Sequence, residues 1–208
     1  IYSSHVLIQD KFNDRQIYVS PDGYAAGAIS ATASNFEIWF PPAGFQRGLL
    51  TVQDFRRRYS KGERDVLYNA GINPIRFKPG KGIAIFGQKT LQARASALDR
   101  LNVRLLLITI QPAVAEFLED VIFEFNDAGT RAQVRGAIIS FMDRIQARRG
   151  VNSYQVKVDE ENNPPEVIDA NKMNVDLFVK PNKAAEFIRF RTIIVSEGDS
   201  FDDVLQAA

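Results

Sequence analysis

The sequence predicts an α+β fold, α/β in its two-layer sense: a mixed, mostly antiparallel sheet packed on two long helices, with an N-terminal strand and helix segment. Three observations carry this expectation. Residues 130–149 place Val134, Ala137, Ile138, Phe141 and Ile145 on one face at helical spacing, and residues 113–125 repeat that pattern. Short β-prone runs bounded by Pro, Gly and Asn occupy both ends of the chain. The 208 residues, 45% hydrophobic and 25% charged, suffice to bury a core without staples.

In chain order, Ser4–Gln9 and Gln16–Val19 read as strands, the second followed by a Pro21-Asp22-Gly23 turn. Tyr24–Ile38 is Ala-rich and reads as a helix stopped by Pro41-Pro42. Ser60 with Glu63 forms a capping box opening a helix to Asn69, closed by Gly71. Pro74–Phe77 and the apolar run Ile83–Phe86 read as strands, the second one buried. Val103–Ile110 is ambiguous, because its continuous, partly β-branched run suits a strand or a buried helix. From Ala113 the apolar positions Val114, Phe117, Leu118, Val121, Ile122 and Phe125 are helical, and a single helix through Pro112 should kink there.

Thr130 is the expected cap of the second long helix, and Gly150 its stop, with Arg144, Arg148 and Arg149 at the negative end of its dipole. Tyr154–Val158 reads as a strand, Val175–Val179 as a second and Phe187–Val195 as a third. The joint Pro181–Ala185 predicts an antiparallel hairpin between the last two. Ser200 with Asp203 can cap a short terminal helix.

Composition narrows the chemistry. With no cysteine there is no disulfide and no thiol nucleophile or thiolate metal site. No apolar run approaches the roughly 18 residues of a membrane span. The chain starts at Ile1 without a signal-peptide pattern, which reads as a piece of a longer protein. The net charge of +1 hides two poles: residues 1–105 hold 15 basic and 8 acidic groups, residues 106–208 hold 11 and 17. Opposed poles suit head-to-tail packing of copies better than capture of a polyanion.

No motif adds up to a catalytic centre. His5 is the only histidine, and no Gly-x-Ser-x-Gly elbow accompanies it. Gly82–Thr90 resembles a phosphate loop, but Gln88 separates Gly87 from Lys89 and the residues between the glycines are apolar. Asp159-Glu160-Glu161 and the later Asp199, Asp202 and Asp203 lack calcium-loop spacing and read as solvated turns. Arg56-Arg57-Arg58 is the only basic run, more suited to an acidic protein partner than to nucleic acid. Trp39, before the double proline, reads as a core or interface anchor.

Six stretches in order carry a resemblance: Gly82–Leu91, Leu98–Arg104, Phe123–Asn126, Ala147–Val151, Asp159–Asn163 with Pro165–Asp169, and Val175–Pro181 with Ala185–Ile188. Together they resemble the C-terminal region of tail sheath proteins from contractile-tailed bacteriophages and pyocins. Val19–Gly27 and Gly71–Arg76 are similar to the segment that precedes it, so the resemblance spans about residues 17–200. Leu105, where the family often has a second Arg, and Pro112, within its first long helix, depart from the pattern.

The resemblance implies a structural subunit and no enzyme. Such subunits stack as hexameric rings into a helical sheath around a tail tube protein, with baseplate and tail terminator as further partners. Contraction drives the tube through the host cell envelope for genome ejection. It further implies no cofactor, no nucleic acid, no membrane insertion, a place in the virion and synthesis in the host bacterial cytoplasm. The organisation it suggests is an N-terminal arm at 1–20, an upstream subdomain at 21–90 and a C-terminal domain with a terminal arm at 91–208.

Family terminal arms add strands to neighbours' sheets. Here the nominated strand-exchange residues are Tyr2, Val6, Ile8, Phe187, Arg189, Arg191 and Ile193. Charged positions matching the family pattern are Asp99, Arg100, Arg104, Arg131, Arg148, Asp159, Asp169 and Glu186. The competing readings are an α/β enzyme acting on a phosphorylated small molecule near Lys89, and a nucleic-acid module around Arg56–Arg58.

Overall fold

The computed structural model describes residues 1–94, 96–188 and 190. Strands β1 (Tyr2–Ser3), β2 (Val6–Asp10) and β3 (Arg15–Val19) lead into helix α1 (Asp22–Asn35). A short helix α2 (Gly44–Arg47), strand β4 (Asp54–Phe55), helix α3 (Lys61–Asn69) and the strands β5 (Asn73–Lys78) and β6 (Gly82–Ile85) follow. A 3-10 turn at Ala97–Asp99 introduces the long helices α4 (Leu101–Glu119) and α5 (Ala128–Ala147). Strand β7 (Val151–Lys157), helix α6 (Pro165–Asp169) and strand β8 (Asp176–Pro181) complete the described elements.

The α+β architecture is as expected, with the strands divided among three small sheets, β1-β5-β6, β3-β2-β4 and β7-β8. Among the described residues every strand pairing is antiparallel except β1 with β5, where Tyr2 lies opposite Asn73. Two apolar clusters form. Val6, Phe55, Ile75, Ile83 and Ile85 centre the first, under the small face of α1 at Ala25 and Ala28. Leu106, Ile110, Val134, Ile138, Met142, Ile145, Val151 and Val156 centre the second. Trp39 is buried in that second cluster, and its indole N–H donates to the Arg148 carbonyl at 3.1 Å.

Several elements differ from the sequence expectation. Pro21-Asp22-Gly23 opens α1 instead of making a turn, because the Pro21 carbonyl accepts the first helical bond from Ala25 N–H at 2.8 Å. The ambiguous run Val103–Ile110 is helical, and α4 continues through Pro112 to Glu119. Proline's missing N–H removes one bond, to the Ile108 carbonyl, which the remaining turns outweigh. Val121, Ile122 and Phe125 fall beyond the helix, and Ile122, Phe123 and Phe125 are exposed. By length and composition α4 is apolar enough to cross a membrane, contrary to the sequence reading; it packs Val103, Leu106 and Ile110 into the protein instead.

The cap of α5 is Asp127, whose side chain accepts the Thr130 N–H at 2.8 Å; Thr130 lies inside the helix. β8 pairs with β7, a pairing the sequence did not predict, while the hairpin expected between 175–179 and 187–195 falls largely outside the described residues. Of the third run, Phe187, Ile188 and Phe190 lie in no strand, and 191–195, like Ser200 and Asp203, lie outside the described residues.

The end of α5 shows why Gly150 follows it. Arg149 N–H bonds the Gln146 carbonyl at 2.9 Å and Gly150 N–H the Ile145 carbonyl at 2.9 Å, a Schellman closure. The left-handed position is held by Arg149, at φ 64°. Gly150 is required for space: a Cβ there would meet Ile145 Cγ2 at 2.5 Å and Leu106 Cδ1 at 3.2 Å. Arg149→Gly should therefore stabilise the fold by about 1 kcal/mol through relief of the left-handed strain. Gly150→Ala should destabilise it by about 1–3 kcal/mol through overpacking. Chemical denaturation of the two variants checks both signs.

Candidate assembly interface

The chain after β8 crosses from the second apolar cluster to the first. Asn182 starts the crossing: its N–H donates to the Gly150 carbonyl at 3.2 Å and its side-chain amide to the Arg149 carbonyl at 2.8 Å. Glu186 is held next. One carboxylate oxygen accepts from Arg100 Nε at 2.7 Å and from Gln88 Nε2 at 3.1 Å. Phe187 then lies edge-on to Tyr68, with ring centroids 6.3 Å apart. Ile188 and Phe190 beyond it are 87% and 86% exposed.

The receiving surface is built by α3, β5 and the segment leaving β6. The capping box forms as the sequence predicts, Glu63 N–H to Ser60 Oγ at 3.3 Å and Ser60 N–H to Glu63 Oε2 at 2.8 Å, and aims Tyr68 inward. Asn73, 1% exposed, ties three strands of chain together. Its amide donates to the carbonyls of Ile1 (3.2 Å) and Lys89 (2.9 Å), and its oxygen accepts Lys89 N–H at 2.7 Å. Gly87 allows this approach, since a Cβ there would sit 2.7 Å from Asn73 Oδ1.

Lys89 is consumed by the same junction. Its ammonium donates to the Tyr68 carbonyl at 2.6 Å and lies 4.5 Å from the centre of the Tyr68 ring. A side chain fixed in this way offers no open cradle to a phosphate, and the glycine of the phosphate-loop lookalike serves packing instead.

The polar atoms around Glu186 are only partly satisfied. Arg100 Nη1 lies 3.0 Å from Asp99 Oδ1, close enough for an ion pair but without hydrogen-bond alignment. Among the described residues, Tyr68 Oη and Gln88 Oε1 are also buried without a hydrogen-bond partner. Burial first, and then the Glu186 carboxylate, push the Tyr68 hydroxyl well above its ordinary pKa, so it stays protonated. For Arg100 burial opposes the charge, but the Glu186 and Asp99 carboxylates outweigh it and raise the pKa.

The remaining nominated charges are scattered. Arg131 is buried and donates to Asn126 Oδ1 at 2.9 Å, bracing the turn before α5. Arg148 pairs with Glu37 at 3.3 Å, and Arg104 and Asp169 are exposed. Asp159 caps its own turn, accepting the Glu161 N–H at 3.0 Å. Among the strand candidates, Tyr2 sits in the edge strand β1, whereas Val6 is fully buried in β2, which pairs on both sides within the subunit. Ile8 is half-buried in the same strand. Arg189, Arg191 and Ile193 lie outside the described residues.

Sequence reasoning singled out Asp99, Arg100 and Glu186, which come together, but missed Tyr68, Asn73 and Gln88. Nothing local marks a buried amide whose partners lie far along the chain. Removing the shared carboxylate by Glu186→Ala strands Arg100 and Gln88, which should lower stability by about 1–3 kcal/mol. The same variant should speed proteolytic cleavage after Phe187, read by limited chymotrypsin digestion.

Comparison with known proteins places this junction in context. Residues 94–194 match the family model described as the phage tail sheath C-terminal domain. The tail sheath protein of Vibrio phage KVP40 is 36% identical over 201 residues, covering 94% of this chain and 29% of that protein. That of Enterobacteria phage T4 is 30% identical over 205 residues, covering 98% of this chain and 31% of that protein. The chain thus spans about a third of the length of these relatives. Among solved structures, the contracted sheath complex of an extracellular contractile injection system (PVC) contains a chain that superposes with TM-score 0.82. The match covers 95% of this chain and 56% of that one at 22% identity. The anti-feeding prophage baseplate contains another, with TM-score 0.81, covering 94% and 54% at 22% identity. Residues 94–194 are thus a phage tail sheath C-terminal domain by their match to that family model.

Proposed function

We propose that this chain is the conserved, polymerising part of a contractile tail sheath subunit. Copies stack as hexameric rings around a tail tube protein, with baseplate and tail terminator at the ends, and contraction drives the tube through the host envelope for genome ejection. The particle is a virion assembled in the bacterial host. The work of contraction comes from rearranged interfaces, so the chain acts as a structural element and carries out no chemistry. Within it, 1–20 serves as an arm, 21–90 as an upstream subdomain and 91–208 as the C-terminal domain with its own arm.

One observation supports this reading above the others: a β-prone run, 187–195, leaves a firmly anchored Glu186 with its described apolar residues turned to solvent. Exposed strand-forming residues are a liability unless a partner edge takes them. Addition of that run to a neighbour's sheet supplies the missing main-chain bonds and survives rigid-body rotation of subunits. The edge strand β1 with Tyr2 is the N-terminal counterpart, and the half-buried Ile8 and buried Val6 hold that arm's root. The charged residues Arg100, Arg104, Arg148 and Asp169 lie at or near such contacts, where ionic pairs can exchange partners.

Ile193→Pro tests the proposal, because proline removes a ladder donor wherever the strand pairs. The wild type at high concentration should show rings or striated tubes by negative-stain electron microscopy. The variant should stay dispersed while its melting temperature as a dilute monomer is unchanged. Equal assembly of both, or no assembly by the wild type and a longer parent protein with tube protein present, contradicts it.

A further inference from the structure

A groove of about 1120 Å³ opens between the two apolar clusters, alongside the Glu186 junction. Six cations line it, Arg47, Lys61, Arg64, Arg76, Arg149 and Lys183, against two acids, Asp65 and Glu186. Among the described residues none of the six lies within ion-pair distance of a carboxylate. The guanidinium groups are nevertheless held in place. Arg47 Nε donates to the Pro41 carbonyl at 2.9 Å and stacks over Phe36 and Phe40. Arg64 Nη1 donates to the Tyr59 carbonyl at 2.6 Å, and Arg76 lies over Phe86 at 4.8 Å. Burial first and then the neighbouring Arg76 charge lower the Arg64 pKa, against a smaller opposing pull from Asp65. Carbonyl and aromatic partners fix these groups without discharging them, which prepares them for carboxylates.

The complementary charge is in this same sequence. Residues 196–208 carry Glu197, Asp199, Asp202 and Asp203 and no basic residue, with Phe201, Val204 and Leu205 to meet aromatic walls. We propose that the groove binds the acidic segment 196–208 of a second copy of this chain. The second copy is favoured over the chain's own segment by geometry. Glu186 and Phe187 anchor the exit at the groove itself, and run 187–195, laid on a neighbour as a strand, carries the following residues about 30 Å away. The occupant therefore rests on the strand-exchange reading above, and the contact would tie the acidic end of one subunit to the basic half of the next.

A fluorescently labelled peptide of residues 196–208, titrated into the dilute full-length chain, tests this. Binding should be equal for the wild type and for a chain with its own segment neutralised (Glu197→Gln, Asp199→Asn, Asp202→Asn, Asp203→Asn). It should weaken about tenfold in Arg64→Glu/Arg76→Glu, and similarly when salt rises from about 50 to about 300 mM. If circular dichroism shows that double variant unfolded, the exposed pair Lys61→Glu/Lys183→Glu takes its place. Absence of binding, or binding indifferent to the groove charges, overturns the proposal. Binding seen only after neutralisation also overturns it, since the chain's own segment then fills its own groove. Tubes without peptide binding remove this inference alone. Peptide binding by a wild type that never assembles removes the sheath reading and the second-copy occupant with it.

Discussion

The Glu186 carboxylate is the point on which the rest of the described arrangement depends. A single oxygen receives Arg100 from the start of α4 and Gln88 from the segment leaving β6. It thereby fastens the chain after β8 to both halves of the molecule. At 17% side-chain exposure the carboxylate gains more from its partners than a solvated pair would, and loses correspondingly more if one is removed. Asn73 and Lys89 repeat the device one layer away, joining the first residue of the chain to β5 and to the approach to α4. Polar groups with far-apart partners, and not the apolar clusters alone, fix where the two ends of the chain emerge.

This division of labour suits the proposed role, a sheath subunit that moves without unfolding. The second apolar cluster, with α4 and α5 on the β7-β8 pair, also takes in Trp39 from the segment before α2, flanked by Ile38 and Phe40. The halves are joined there by an apolar contact, and around it by polar ones, the Trp39 indole on the Arg148 carbonyl and Glu186 on Arg100 and Gln88. The opposed charges of the two halves take a concrete form as a basic groove beside the Glu186 junction and an acidic end to the sequence.

Much of the fold was legible because its signals are local. The Ser60–Glu63 box, the apolar face of α5 and the buried strand at Ile83–Ile85 each lie within a few residues of their cause. Val103–Ile110 was not decidable alone, because a run apolar on all sides has no period to distinguish helix from strand. Proline misled once: Pro21 suggested a turn yet starts a helix, whereas α4 runs through Pro112 as a single helix short of one bond. The β7-β8 pairing escaped because strand proximity in sequence favoured the run at 187 as the partner of β8. Of the junction, the charged members were visible only through the family pattern. Tyr68, Asn73 and Gln88 were not visible at all, since a buried amide is defined by partners that sequence position does not reveal.

The most direct test of strand sharing between copies is amide hydrogen exchange across residues 187–195, measured in dilute and in assembled protein. Shared strands predict fast exchange in the dilute chain and strong protection once rings or tubes form. Equal protection in both states would mean that the run pairs within its own subunit. Fast exchange in both would mean that it joins no sheet, and either result would contradict the account.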